Sequence, residues 1–250
     1  LVVAAILFAT FQAISMAKDK GDSLNTSPEN TKYAVFAGGC FWCTESDFEK
    51  IDGVLSAVSG YTGGHVKNPT YKQVSGGGTG HIEAVKVVYD PTRISFEGLL
   101  EVFWQHVDPA DPGGQFVDRG PQYRSAIFYT DENEKLLAEN SKENLAATGR
   151  FDKSIATDIL RLGTFYPAEK YHQDYYKKNP LRYKYYRSGS GRDQFLKKTW
   201  ADVKSGNRKG AKKMGMKMEK SDTSMYSRPA DEKLKKRLTP LQYRVAIENG

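Results

Sequence analysis

The run Tyr33-Ala34-Val35-Phe36-Ala37 is apolar and stops at Gly38-Gly39, which predicts a short buried strand followed by a turn. From Cys40 to Lys50 the spacing becomes helical, with Phe41, Phe48 and Ile51 available for one side, so Cys40 stands at the start of a helix. Val54 to Tyr61 and Ile82 to Tyr89 predict two more strands, closed by Thr62-Gly63-Gly64 and by the turn at Asp90-Pro91. Phe96, Leu99, Leu100, Phe103, Trp104 and Val107 then recur as one amphipathic stripe, with Ser95 as N-cap. Asp108 to Gln122 is a Gly/Pro/Asp loop, long for a plain connection and therefore expected to serve function. A strand at Ser125 to Tyr129 follows. Asp131 with Glu134 then resembles a capping box opening a helix that runs to Gly149. Ile155 to Leu160 predicts a last strand, and the Tyr-rich segment Tyr171 to Tyr186 closes the domain. The irregular alternation of helices and strands predicts an α+β two-layer sandwich with a mixed sheet and a ferredoxin-like core.

The ends differ from this middle. Leu1 to Ile14 is apolar, Ser15-Met16-Ala17 are small, and Lys18-Asp19-Lys20 are charged, the pattern of an export signal over residues 1–17. The expected location is therefore periplasmic or at the cell envelope. A bilayer span needs about 20 apolar residues, so membrane attachment is expected only if this segment is uncleaved. Residues 18–31 are polar, 32–200 form the domain, 201–236 read as a flexible basic linker, and 237–250 open something new. The net charge of +7 suggests nucleic acid until it is located. Lys204 to Lys220 holds seven Lys or Arg against one Glu, so the folded part is close to neutral and no nucleic-acid partner is expected. With 39% hydrophobic and 12% aromatic residues, the middle has enough to bury a core.

Both cysteines of the chain, Cys40 and Cys43, lie within four positions. A loop of two intervening residues constrains the unfolded chain little. The pair therefore reads as redox chemistry or half of a metal site rather than as a staple. A helix start favours thiolate, which makes Cys40 a candidate nucleophile. Cys43 lies on the same helical face, placed to resolve a sulfenic acid at Cys40 as a disulfide. A pair of buried, inert thiols is the plainer alternative. Phe41 and Trp42 offer an apolar wall for a methyl or thioether group, although adjacent aromatics are commonly core. Glu83 shares a strand face with Val85, Val87 and Tyr89; it is either buried and protonated, ready to donate, or bent out to solvent at the strand end. His65, His81, His106 and His172 are dispersed and show no ligand spacing, so no metal is expected.

The stretches Gly39-Cys40-Phe41-Trp42-Cys43-Thr44-Glu45, Gly60-Tyr61-Thr62-Gly63-Gly64, Asn68-Pro69-Thr70-Tyr71, Thr79-Gly80-His81-Ile82-Glu83-Ala84-Val85 and Asp118 to Ser125 resemble, in order, the signatures of A-type peptide-methionine sulfoxide reductases. Tyr166-Pro167-Ala168-Glu169 and Tyr171-His172-Gln173 continue the likeness, which covers about residues 32–200. The resemblance implies reduction of methionine S-sulfoxide, free or in proteins, as oxidative repair. It implies Cys40 as nucleophile, Phe41 and Trp42 as the methyl-receiving walls, and Glu83 as the acid. Tyr71 and Tyr123 would hydrogen-bond the sulfoxide oxygen, with Asp118 beside them. It also implies no organic cofactor, an external thioredoxin-like reductant, oxidised proteins as partners, and a monomer. The commoner family pattern has Gly at position 43 and resolving cysteines elsewhere, and Ser75 stands where many relatives carry one. Cys43 is then left as the resolving residue. Leu238-Thr239-Pro240-Leu241-Gln242-Tyr243-Arg244-Val245 resembles the opening of a B-type reductase, which implies the front part of an A–B fusion. The competing expectations are a thioredoxin-class dithiol oxidoreductase, a binding module for oxidised peptides whose binding survives loss of Cys40, and, more weakly, a zinc clip.

Overall fold

The computed structural model describes residues 30–204. The segments expected to be an export signal, a polar stretch, a linker and the start of a second domain, residues 1–29 and 205–250, lie outside the described residues. The elements begin with β1 (Lys32–Gly38), α1 (Phe41–Phe48), β2 (Val54–Thr62), α2 (Tyr71–Ser75), β3 (Ile82–Tyr89) and α3 (Phe96–Trp104). Next come β4 (Gly114–Gln115), β5 (Asp118–Arg119), a 3-10 turn at Pro121–Tyr123, β6 (Ser125–Tyr129), α4 (Glu132–Ala147), β7 (Asp158–Arg161) and β8 (Tyr166–Pro167). Four short helices end the domain: α5 (Tyr175–Lys178), α6 (Pro180–Gly189), α7 (Arg192–Thr199) and α8 (Ala201–Lys204). Among the described residues no helix is long and apolar enough to cross a membrane.

One sheet runs β7-β6-β1-β3-β2-β8. Its pairs are antiparallel except β6 with β7, which is parallel, so the sheet is mixed and the class is α+β. Strand alternation sorts the side chains. Phe36, Val85, Val87 and Ile127 join Phe48, Leu99, Leu100, Phe103, Ala138 and Leu145 in the main core under α1, α3 and α4. Val35, Ala37, Ile82, Ala84, Ala126 and Phe128 form a smaller core on the opposite face. Phe36 stacks on Phe48 at 4.9 Å between ring centroids and on Phe103 at 5.4 Å. The α3 stripe is buried as its spacing predicts, and Ser95 Oγ accepts from Gly98 N.

Some elements depart from the sequence pattern. The capping box at α4 is offset: Asp131 accepts from Glu134 N, but Glu134 reaches back to Thr130 N and Oγ1. The strand expected over 155–160 is β7, three residues later at its start, because Ala156 N and Thr157 N donate to Pro109 O instead of a neighbouring strand. The long loop folds into the β4–β5 hairpin and the 3-10 turn. Helix α1 is buried nearly all round rather than on one side, because α5 and α6 pack over its outer face through Tyr175 and Tyr183.

Candidate active site

The turn from β1 into α1 sets the geometry. Gly39 has φ +82°, and a Cβ there would meet Gln115 Cβ at 2.5 Å, so only glycine fits. Gln115 is fully buried and spans the loop, accepting from Asp108 N at 2.8 Å and donating to Asp108 O at 2.7 Å. Cys40 follows as the N-cap of α1, buried, with its carbonyl accepting from Cys43 N at 3.1 Å. The next amide, Phe41 N, donates to Glu83 Oε2 at 3.0 Å. Glu83 is 2% exposed, which excludes the solvent-bent alternative.

These residues wall a cavity of about 100 Å³. Cys40, Phe41, Trp42, Tyr71, Glu83, Asp118 and Tyr123, all singled out from the sequence, line it. Cys43 does not. It lies behind the wall at 1% exposure, packed with Tyr175 and Tyr183 and hydrogen-bonded to the Cys40 thiol. Both thiols are free. Tyr186, from α6, is an eighth wall that sequence reasoning missed; its phenol donates to Asp118 Oδ2. An apolar cavity of about 150 Å³ holds benzene, so this one takes a smaller group with one polar end.

The walls are held from outside. Trp42 Nε1 donates to His172 Nδ1 at 3.0 Å, and its ring stacks on Tyr175 at 3.7 Å. Gln173 brackets Ser59 by accepting from its N at 2.9 Å and donating to its O at 2.8 Å. Asp174 N donates to Glu45 Oε1 at 3.1 Å. Four consecutive residues, 172–175, thus latch the C-terminal wrap to α1 and β2. Tyr71 sits at the start of α2, after the Thr70 cap, with its N donating to Glu169 Oε1 at 2.8 Å.

Electrostatics favour protons. Burial holds the Glu83 carboxyl up at about 8; the Phe41 amide opposes this, and Asp118 adds to it. Burial also lifts Asp118, against the hydrogen bond from Tyr186. The Tyr71 phenol is pushed up to about 12 by burial and Glu83, and burial raises Tyr123 and Tyr186 as well. The helix start was expected to make Cys40 a thiolate. Burial instead drives its pKa well up, reinforced by Cys43, Glu83 and Asp118, so the resting site holds a thiol. Cys43 is lowered, by the hydrogen bond from Cys40 and, despite its burial, by the nearby Arg192 and Arg187. Among the described residues no cluster of His, Cys, Asp or Glu could hold a metal ion. A thiol and a buried carboxyl thus face one small cavity with aromatic and polar walls, an arrangement suited to attack on a polarised X=O group.

Comparison with known proteins converges. The family model described as peptide methionine sulfoxide reductase matches residues 32–204. Over 247 residues the chain is 44% identical to the peptide methionine sulfoxide reductase MsrA/MsrB of Vibrio cholerae serotype O1, covering 98% of this chain and 65% of that protein. The MsrA of Bacillus licheniformis is 55% identical over 172 residues, 69% of this chain and 95% of the relative. Among solved structures, reduced Mxr1 of Saccharomyces cerevisiae aligns with a TM-score of 0.58 and 33% identity, over 62% of this chain and 88% of that one. Methionine sulfoxide reductase A of Corynebacterium diphtheriae aligns with a TM-score of 0.55 and 37% identity, over 62% and 78%.

Proposed function

The chain belongs to the peptide methionine sulfoxide reductase family, as an A-type oxidoreductase, and from that premise we propose that its 32–200 domain returns methionine S-sulfoxide, free or in proteins, to methionine. The observation that carries the reading is Glu83, buried and anchored on Phe41 N, lining one small cavity with the Cys40 thiol. Phe41 and Trp42 receive the methyl group. Tyr71 and Tyr123 donate to the sulfoxide oxygen, and Asp118, held by Tyr186, orients the polar side.

Glu83 gives its proton to the oxygen, which makes the sulfur electrophilic, and then recovers the Cys40 proton as that sulfur attacks. The S–O bond breaks as the hydroxyl passes to Cys40. Thiol and sulfoxide become sulfenic acid and sulfide, with no net proton change. Cys43 then attacks the sulfenic acid, the Cys40–Cys43 disulfide forms, and water leaves. An external thioredoxin-like dithiol reduces the disulfide. The order β6-β1-β3-β2, with α1 and α3 following the first and third of these strands in sequence, supports a ferredoxin-like core. The similarity to an MsrA/MsrB protein over almost the whole chain supports residues 237–250 as the start of a B-type domain. Export to the periplasm or cell envelope remains the reading of residues 1–17.

The test is reduction of separated S and R epimers of a methionine sulfoxide peptide with dithiothreitol, comparing the native chain with Cys40→Ser. Turnover of the S epimer alone, abolished by the substitution, is expected. A folded native chain that turns over neither epimer sinks the proposal.

A further inference from the structure

Resolution of a sulfenic acid requires Cys43 to ionise where water is scarce. The charged and titratable groups facing it are Cys40 and Asp47 on α1, Glu83 on β3, Tyr183 and Arg187 on α6, and Arg192 on α7. Arg187 is already paired, with Asp47 at 2.7 Å and Asp193 at 2.8 Å. Arg192 differs. It is 1% exposed, Nη1 donates to His106 O at 2.7 Å, and Nη2 donates to Gly38 O at 2.8 Å. Its guanidinium lies 4.5 Å from the Phe116 ring centroid. Among the described residues no carboxylate forms an ion pair with it. A buried cation held by carbonyls rather than by a direct ion pair is costly, and this one lies behind the Gly38–Gly39 turn, where its charge acts on Cys43 and Asp118.

We propose that Arg192 is a positioning residue for the second half of the cycle, supplying the counter-charge under which Cys43 ionises and attacks the Cys40 sulfenic acid. This rests on Cys43 being the resolving thiol. In that step the Cys43 S–H proton leaves, its electron pair forms the S–S bond, the Cys40 S–O bond breaks, and the hydroxyl departs with the proton as water. The hydrogen bond from the Cys40 thiol disappears once that sulfur carries oxygen. The Arg192 charge stays. Lysine would keep the charge but not the fork that holds two carbonyls.

The experiment follows both half-reactions in the full chain, mixed with methionine S-sulfoxide in the absence of reductant. Methionine formed per enzyme reports the first step, and the decay of dimedone-trappable sulfenic acid, read across neutral to alkaline pH, reports the second. Arg192→Met should leave the first step within about threefold while raising the pH midpoint of the second by about one unit or more. The second step at neutral pH should slow about threefold per unit, because the tenfold loss of thiolate is partly offset by its greater nucleophilicity. Arg192→Lys should restore the midpoint. Equal slowing of both steps with an unmoved midpoint, or an unchanged second step, overturns the proposal and leaves Arg192 a mere anchor. Cys43→Ser separates the two ideas: if its sulfenic acid decays as fast as in the native chain, Cys43 does not resolve and both fall. A persistent sulfenic acid in Cys43→Ser beside an unaffected Arg192→Met refutes Arg192 alone.

Discussion

Replacing Glu83 with Gln removes one transferable proton and little else. The amide oxygen can still accept from Phe41 N, as Oε2 does at 3.0 Å, and the volume is unchanged, so the fold should persist. With its pKa at about 8 the native carboxyl is about nine-tenths protonated at pH 7, against about three in a thousand for an unshifted carboxyl. Loss of proton transfer at this position should slow methionine formation by about a hundred- to ten-thousandfold, or about 3–5 kcal/mol of barrier. The pH profile sharpens the test. In the proposed mechanism the acid form is the active one, so raising the pH through about 8 empties the donor, and the native rate should fall about tenfold per unit beyond that point. The Gln variant should lack this limb. The assay is single-turnover formation of methionine from an S-sulfoxide peptide, with circular dichroism to check folding. A native rate that climbs through pH 8 would refute the reasoning, since the resting site would then have to lose a proton before it reacts. So would a Gln variant within fivefold of native.

Tyr186→Phe deletes the hydrogen bond to Asp118 and should slow the same single turnover by about 10- to 150-fold, as expected for a bond to a charged partner worth about 1.5–3 kcal/mol; an unchanged rate would remove Tyr186 from the site. Gly39→Ala forces a side chain into a left-handed conformation against Gln115. It should cost about 1–3 kcal/mol, seen as a drop of several degrees in Tm, and a native-like melt would contradict the geometry. Phe36→Ala empties the stack between Phe48 and Phe103 and should destabilise the domain by about 3–5 kcal/mol in urea titration, with the denaturant slope unchanged.

The residues nearest the chemistry were readable because local rules govern them. The double glycine announced the turn before Cys40, and the period-2 pattern of β3 put Glu83 on the apolar face, although whether that end of the strand was buried depended on α1 lying over it. The α3 stripe was legible because a single face decides its burial. Tyr186 and Arg192 were not, because α5 to α7 are short and carry no apolar stripe. In α6 only Tyr183 is buried, and these helices are held by particular contacts to distant residues, such as Arg192 to Gly38. The Tyr-rich composition of 171–186 was the one available signal. Ionisation of Cys40 is hard to read from sequence for a related reason: the helix start that favours thiolate is local, but the burial that opposes it comes from walls remote in sequence.

The site is built from stretches of chain that are made at different times. Gly38 and its partner Arg192 are 154 residues apart, and a ribosome adding about 5–20 residues per second needs roughly eight to thirty seconds to travel that distance. For most of that interval the nascent Cys40 and Cys43 lack the covering helices α5 and α6, and for all of it they lack the buried cation. The cysteine pair is thus made early and its surroundings late: the wall from Tyr186 and the packing of Tyr175 and Tyr183 on Cys43 exist only once the last helices have docked.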